Sequence, residues 1–444
     1  MSLLCEIAPD AAVQNAPNGD PAQLIDDICA GRVDPDNLSL AEERTIRRFC
    51  RACTRASEAR IRALVDRGHI KRARRERSDH MKMRSVLLHA GLLSARQQWP
   101  IKVTHPPAKQ EATRKHRLRM AFEGLPQIGR FLAKARARQF LRAKKSGGYR
   151  PITSFYWIDK ARQYVLKSAL TPFASLHDAQ HMLAHDPERR GPAAARKSLL
   201  KALNECSDDS VFIQFDIADC YGSISHRWIE ESIGLDPAII QRQIHLGGML
   251  IDHPRGHAIV RASHEATARK GRWGIPQVSR VSSLIAEQAM AAVLKSAAVF
   301  SELPSFAWSD NLGIIVPRDR VDDVERLVCE AFWSHGAGPF ELTVTRRAVT
   351  AEFKFLGIWY RKGTDGAEAF IPEEVICAWE ASTFDRLVDC SLRELGDIER
   401  HVHGKIAQWA WCPRAIEARE YLLGCIQSIR ADLEINETAA ESLP

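Results

Sequence analysis

Two acids stand where the surrounding sequence is apolar. Asp216 follows the run VFIQF, and Asp310 interrupts SFAWSDNLGIIVP between two apolar stretches. An unpaired carboxylate in such a setting is costly, so each needs a basic partner or a bound cation. From the two residues alone both answers stand open. If the partner is a cation, a hard one such as Mg²⁺ fits, because it takes oxygen ligands and leaves positions to water and substrate phosphates. Two such ions about 4 Å apart stabilise the attacking and leaving oxygens of an in-line phosphoryl displacement.

The elements that must position these acids are short. Residues 211–217 read as an apolar strand with Asp216 near its end. Residues 305–317 read as a hairpin, with the turn chemistry of Ser309, Asp310 and Asn311 at its tip. An apolar helix is expected over 281–298, another over 321–333, and a strand and turn over 352–363. Helical texture returns from 372 to 433. Upstream, residues 38–93 read as helices: Ser39 with Glu42 and Glu43 resembles an N-terminal cap, and Ile46, Phe49, Cys50 and Cys53 recur at helical spacing. Prolines in 99–109 mark a boundary. Two further helical stretches are read before SGGYRPITSF, which reads as a Gly turn and a strand; a helix follows near 159–170. Strands and helices mixed in this way argue for an α+β core with helical additions at both ends.

With 444 residues, 45% hydrophobic and 27% charged, the chain has material for two or three domains. No apolar run approaches the roughly 18 to 20 residues that span a bilayer, and the start MSLLCEIAPDAAVQN lacks the pattern of a secretory signal, so a cytoplasmic protein without membrane partners is expected. Eleven scattered Cys fit reduced thiols. Cys50 and Cys53 form a C-x-x-C without the second pair that zinc needs. His177, His181 and His185, at i, i+4 and i+8, are read as a polar helix face. Net charge is +8, but residues 41–150 alone carry +22 and the remainder −14. That asymmetry points to nucleic acid. The dense runs KRARRER, with Lys71, Arg72, Arg74, Arg75 and Arg77, and TRKHRLR, with Arg114, Lys115, Arg117 and Arg119, are the candidate phosphate contacts.

Taken together, these segments resemble the bacterial reverse transcriptases, the group of group II intron, retron and phage-defence enzymes. FDIADCYGSISH looks like the family's first catalytic motif, GIPQVSRVSSLIA like its second, and WSDN like the aromatic-x-Asp-Asp tip. KFLGIWY is similar to the strand before the thumb, and KKSGGYRPI to the fingers segment. The matches keep the family's order over roughly residues 140–360. The resemblance implies a right-hand polymerase: a loose acidic lead-in (1–37), a basic helical extension (38–105), fingers and palm (106–370) and a helical thumb (371–444). It further implies RNA-directed DNA synthesis with two Mg²⁺, Mn²⁺ being an alternative, held by Asp216, the Ile217 carbonyl and Asp310. Asp216, Asp310 and Asn311 are its catalytic positions. Lys144, Lys145, Arg150, Tyr221, Gln277 and Ser282 would meet the deoxynucleotide triphosphate, Tyr221 crowding the sugar 2′ position, and Phe355, Leu356 and Gly357 would pack near the primer end. A Gly turn flanked by Lys and Arg suits triphosphate oxygens. Implied partners are an RNA template or noncoding RNA, the DNA product and deoxynucleotides. The sequence does not identify a protein partner. A stand-alone role in phage defence or a retron-like system is expected.

Departures sharpen the expectation. Val278 replaces a glycine, and because a β-branched residue resists positive φ, a differently shaped loop is expected. Arg280 and Ser283 replace the usual prolines, and Arg346 and Arg347 stand where a lysine is often found. Asn311 removes one negative charge, worth about 4 kcal/mol at about 4 Å and an effective dielectric near 20. Its carbonyl can still ligate, and Asp219 adds charge nearby. Two other readings follow from these departures: a polymerase that adds nucleotides without a conventional template, and an inactive relative that only binds RNA.

Overall fold

The computed structural model describes residues 20–102, 105–143, 149–184, 186, 188–252, 274–388, 390–407, 409 and 411–441. Leaving single-turn helices aside, the chain begins with α1 (Pro21–Cys29), α2 (Leu40–Asp66), α3 (Ile70–His80), α4 (Arg84–Gln98) and α5 (Pro107–Glu123). Strands β1 (Arg136–Ala143) and β2 (Tyr149–Phe155) precede α6 (Trp157–Leu170), α7 (Pro192–Glu205) and β3 (Val211–Ile217). Then come α8 (His226–Ile233), α9 (Pro237–Gln243), β4 (Leu250–Asp252), α10 (Ser282–Ser296), β5 (Ser305–Trp308), β6 (Asn311–Val316) and α11 (Val321–Ser334). The chain closes with β7 (Leu342–Ala348), β8 (Phe353–Phe355), β9 (Ile358–Gly363), β10 (Gly366–Phe370), α12 (Glu373–Leu387), α13 (Leu392–Ala407) and α14 (Pro413–Glu441). The fold is α+β.

Two compact units share these elements. The first comprises Met1–His185, Asp216–Glu302 and Glu325–Thr343; the second comprises Asp186–Phe215, Leu303–Val324 and Val344–Pro444. In the first, α2 opens on a full capping box: Ser39 accepts from the Glu42 amide while Glu42 accepts from the Ser39 amide. Cys50 and Cys53 are buried on this helix as thiols. Helix α1 lies in the stretch read as a loose lead-in, with Asp20 capping its first turn. Residues 136–143, within the region before SGGYRPITSF where only helical stretches were read, form β1. They pair antiparallel with β2 from Ala137↔Phe155 to Ala143↔Tyr149, and β4 adds a parallel partner to β1. Burial alternates as a strand requires, with Ala137 and Gln139 turned inward.

In the second unit, residues 211–215 of β3 and 344–348 of β7 join a sheet of order β5-β6-β3-β7. The hairpins β8-β9 and β9-β10 form a separate sheet. Its core is aromatic: the Phe212 ring stacks on Phe353 at 4.4 Å and meets Phe355 edge-on at 5.4 Å, contacts worth about 0.5–1.5 kcal/mol each beyond burial. Gly313 of β6 makes room for this cluster, because a Cβ there would collide with the Phe212 ring. Helices α12 to α14 build their own core around Leu395, Leu422 and Ile426, with Trp379, Trp409 and Trp411 packed against it. These tryptophans serve packing. Among the described residues no helix is long and apolar enough to cross a membrane.

Candidate active site

In the first unit, the segment after β3 and the GIPQVS segment, some 50 residues apart in sequence, are tied to each other. The Gly274 amide donates to the Ile224 carbonyl and the Ile275 amide to the Tyr221 carbonyl, both at 2.9 Å. His226 Nε2 lies 2.7 Å from the Gly274 carbonyl. Asp216 is exposed at the end of β3, next to the buried Ile217. The chain then turns through Asp219, which takes φ +45°. A Cβ at Gly222 would meet the Asp219 carboxylate, which would have to swing aside. The following segment is anchored by the Ala218 amide on the Glu341 carbonyl and the Ser225 amide on the Ala337 carbonyl, each 2.9 Å.

The second motif docks on the β1-β2 sheet and on α6. The Thr153 amide donates to the Gln277 carbonyl at 3.3 Å, and Ser279 Oγ lies 2.5 Å from Gln163 Oε1. Between these anchors Val278 takes φ +72° with its side chain 65% exposed. The expectation of a differently shaped loop is therefore corrected: the valine holds the left-handed conformation a glycine would adopt. The docking bonds on either side override its intrinsic preference. Gln277 is half-buried and Ser282 wholly buried with an unpartnered hydroxyl, so Ser282 does not face outward to a ligand. Arg150 is exposed and sits directly opposite Arg142. Like charges directly opposite across strands repel mildly. Lys144 and Lys145 lie outside the described residues.

In the second unit, Ser309 and Asp310 form a two-residue turn, since Trp308 pairs with Asn311. Ser309 carries φ +55° at the first turn position, where hairpins of this kind usually place glycine. Asp310 and Asn311 are half-buried, and Asn311 Nδ2 donates to Asp310 Oδ1 at 3.2 Å. The amide thus takes the place of a repelling carboxylate. Leu356 (φ +52°) and Gly357 (φ +83°) make the β8-β9 turn. Phe355 is core, 1% exposed. Arg346 pairs with Asp322 at 2.8 Å.

The basic runs divide in two. On α3, Lys71, Arg72, Arg74 and Arg75 are exposed, but Arg77 turns inward, donates to the Ile233 and Gly234 carbonyls, and is pushed down to about 10 by burial. On α5, Arg114 pairs with Glu43 at 2.6 Å and Glu111 at 2.5 Å, Arg117 donates to the Trp99 carbonyl at 2.5 Å, and Arg119 pairs with Asp36. Arg77, Arg114 and Arg117 are thus turned into the fold, Arg119 stays exposed in a surface ion pair with Asp36, and Lys115 is half-buried. The histidine face is also corrected. Residues 174–184 are not helical, His177 Nδ1 instead accepts from the Ala179 amide at 3.1 Å, and His185 lies outside the described residues.

Asp216 and Asp310 each offer carboxylate oxygens, a donor type that suits a hard cation. Among the described residues no three His, Cys, Asp or Glu side chains gather to hold a metal. An ion here would rest on a carboxylate, a backbone carbonyl and water. No known family model matches the chain, and no curated protein matches it.

Proposed function

We propose that the chain is a metal-dependent nucleotidyltransferase of right-hand polymerase type that extends a primer with deoxynucleotides on an RNA template. One observation carries this reading. Among the described residues the non-glycine positions with positive φ are Asp219, Val278, Ser309 and Leu356, and each lies in a different one of the four motifs FDIADCYGSISH, GIPQVSRVSSLIA, WSDN and KFLGIWY. Such conformations cost about 1–3 kcal/mol each and persist where the surroundings enforce them, most often at functional sites. Chance placement of all four inside such short motifs is a poor account.

In this reading Asp216, the Ile217 carbonyl and Asp310 would hold divalent ions. Two Mg²⁺, when bound, would neutralise the triphosphate and the leaving pyrophosphate. The chain's own residues do the rest. Arg150, with Arg142 opposite, offers guanidinium forks to phosphate oxygens, Tyr221 limits space beside the sugar, and the loop holding Gln277 is fixed to β2 by its carbonyl. The exposed cations of α3 would grip nucleic acid by its backbone. Primer extension with Mg²⁺ or Mn²⁺ tests the proposal. Incorporation by wild type and a loss of at least a thousandfold in Asp216→Ala are expected. No incorporation on any primer-template, or undiminished incorporation in Asp216→Ala, overturns it.

A further inference from the structure

Helix α6 is buried along most of its length. Between residues 157 and 170 the side chains of Ala161, Arg162, Gln163, Val165, Leu166, Ala169 and Leu170 are all enclosed. Its accessible stripe holds Lys160, Tyr164 and Lys167, at i, i+4 and i+7, so they share one face. Arg280, from the loop after Val278, covers this stripe with its guanidinium carbon 5.3 Å from the centre of the Tyr164 ring. That distance is within cation-π range. The loop is fixed to the helix beneath by the buried bond between Ser279 and Gln163, and Gln163 in turn donates to the Gln243 carbonyl at 2.8 Å. Three cations are therefore held together by construction.

Among the described residues none of the three enters an ion pair with a carboxylate, and burial, followed by the Arg280 charge, pushes both lysines below their ordinary range. Cations gathered against one another at a fixed, half-buried surface are stable company for an anion. The stripe is about 10 Å long, from seven residues of helix rise, which exceeds a single phosphate. The Tyr164 ring midway seats the Arg280 guanidinium and so fixes the third cation over the stripe.

We propose that Lys160, Lys167, Arg280 and Tyr164 form a binding site for consecutive backbone phosphates of a single nucleic-acid strand. The site is separate from the basic runs of α3 and α5, and it stands whether or not the bound strand is copied.

The full-length protein and a fluorescent 20-nucleotide RNA provide the test. Binding is followed by anisotropy over a range of NaCl concentrations for wild type, Lys160→Gln/Lys167→Gln and Lys160→Arg/Lys167→Arg. Losing two phosphate contacts should flatten the salt slope by about 1.4, at about 0.7 per cation, and weaken binding at least tenfold at 0.1 M salt, while the arginine variant keeps both. An unchanged slope in the glutamine variant overturns the proposal. Wild-type protein supplies a second measurement that does not depend on folding of variants: acetylation of Lys160 and Lys167, read by mass spectrometry, should be suppressed by the RNA and not by the same phosphate concentration of inorganic phosphate. Equal protection by inorganic phosphate would assign a free-anion site and overturn the strand; protection by neither removes the site.

Discussion

Acidification from pH 7 to pH 5 is predicted to weaken the first unit. His80 is wholly buried, with Nδ1 2.9 Å from Ser57 Oγ and Nε2 2.9 Å from Ser168 Oγ; Ser168 in turn donates to Glu58. Burial, aided by the Arg60 charge, pushes its pKa down to about 4. His245, also buried, is pushed down to about 3 by burial first and by His226 second, the two rings stacking at 3.7 Å. Glu230 lies 3.8 Å from His245 Nδ1, but this attraction does not overcome the enclosure of a ring whose Nε2 lacks a partner. Both imidazoles titrate near 6.5 in the unfolded chain. The folded state therefore binds fewer protons, and stability that is full above the unfolded pKa is lost as pH falls toward the folded values. At pH 5, about 1.5 pH units below the unfolded midpoint, each histidine costs about 2 kcal/mol and the pair about 4 kcal/mol. Against a typical total of about 5–15 kcal/mol this is a large share. Urea titrations at pH 7 and pH 5 measure it, with hydrogen exchange of α2 and α6 amides locating the loss. In His80→Gln the pH-dependent loss should shrink by about 2 kcal/mol. An identical loss in wild type and variant refutes the reasoning.

Further outcomes are expected. Val278→Gly should raise stability by up to about 1 kcal/mol, because a left-handed L-residue costs about 1–2 kcal/mol and glycine returns part of that as chain entropy; a lowered thermal midpoint would show that the valine makes contacts that outweigh its strain. Asn311→Asp should speed Mg²⁺-dependent incorporation at least tenfold, read by single-turnover extension, and an unchanged rate would mean that the missing charge is not limiting. Gly313→Ala should destabilise the second unit by about 1–3 kcal/mol through overpacking against Phe212, and a wild-type denaturation midpoint would contradict the fit described for that ring.

The sequence made some parts of this legible and concealed others for physical reasons. Strand β3 and the β5-β6 hairpin were readable because apolar runs bounded by turn residues have few alternatives, and the capping box of α2 was spelled out in Ser39 and Glu42. Strand β1 was not, because RARQFLRA is rich in helix formers and becomes a strand through its pairing with β2. The fate of the arginines was equally hidden. A charge count cannot say that Arg77 and Arg117 turn their guanidinium groups onto main-chain carbonyls while their neighbours stay in water. At Val278 the local rule against positive φ was sound as energetics and wrong as geometry, since the bonds from Thr153 and Ser279 fix the loop. Arg280 could be read only as a replacement for proline because Lys160 and Lys167 stand more than a hundred residues away in the chain.

The way the polypeptide alternates between its two units has a consequence for biosynthesis. The first 185 residues can begin to organise as they leave the ribosome, but the 30 residues after them belong to a body whose next segment starts at Leu303. Until that segment arrives, Phe212 has neither Gly313 nor Phe353 to pack against and must wait with its apolar surface uncovered. Chains held in such a partly built state are prone to aggregate. A single cut cannot separate the units into two contiguous fragments. Division of this protein for expression therefore calls for co-production of pieces rather than truncation, and premature termination anywhere before the β8-β9 hairpin leaves the second unit without its aromatic core.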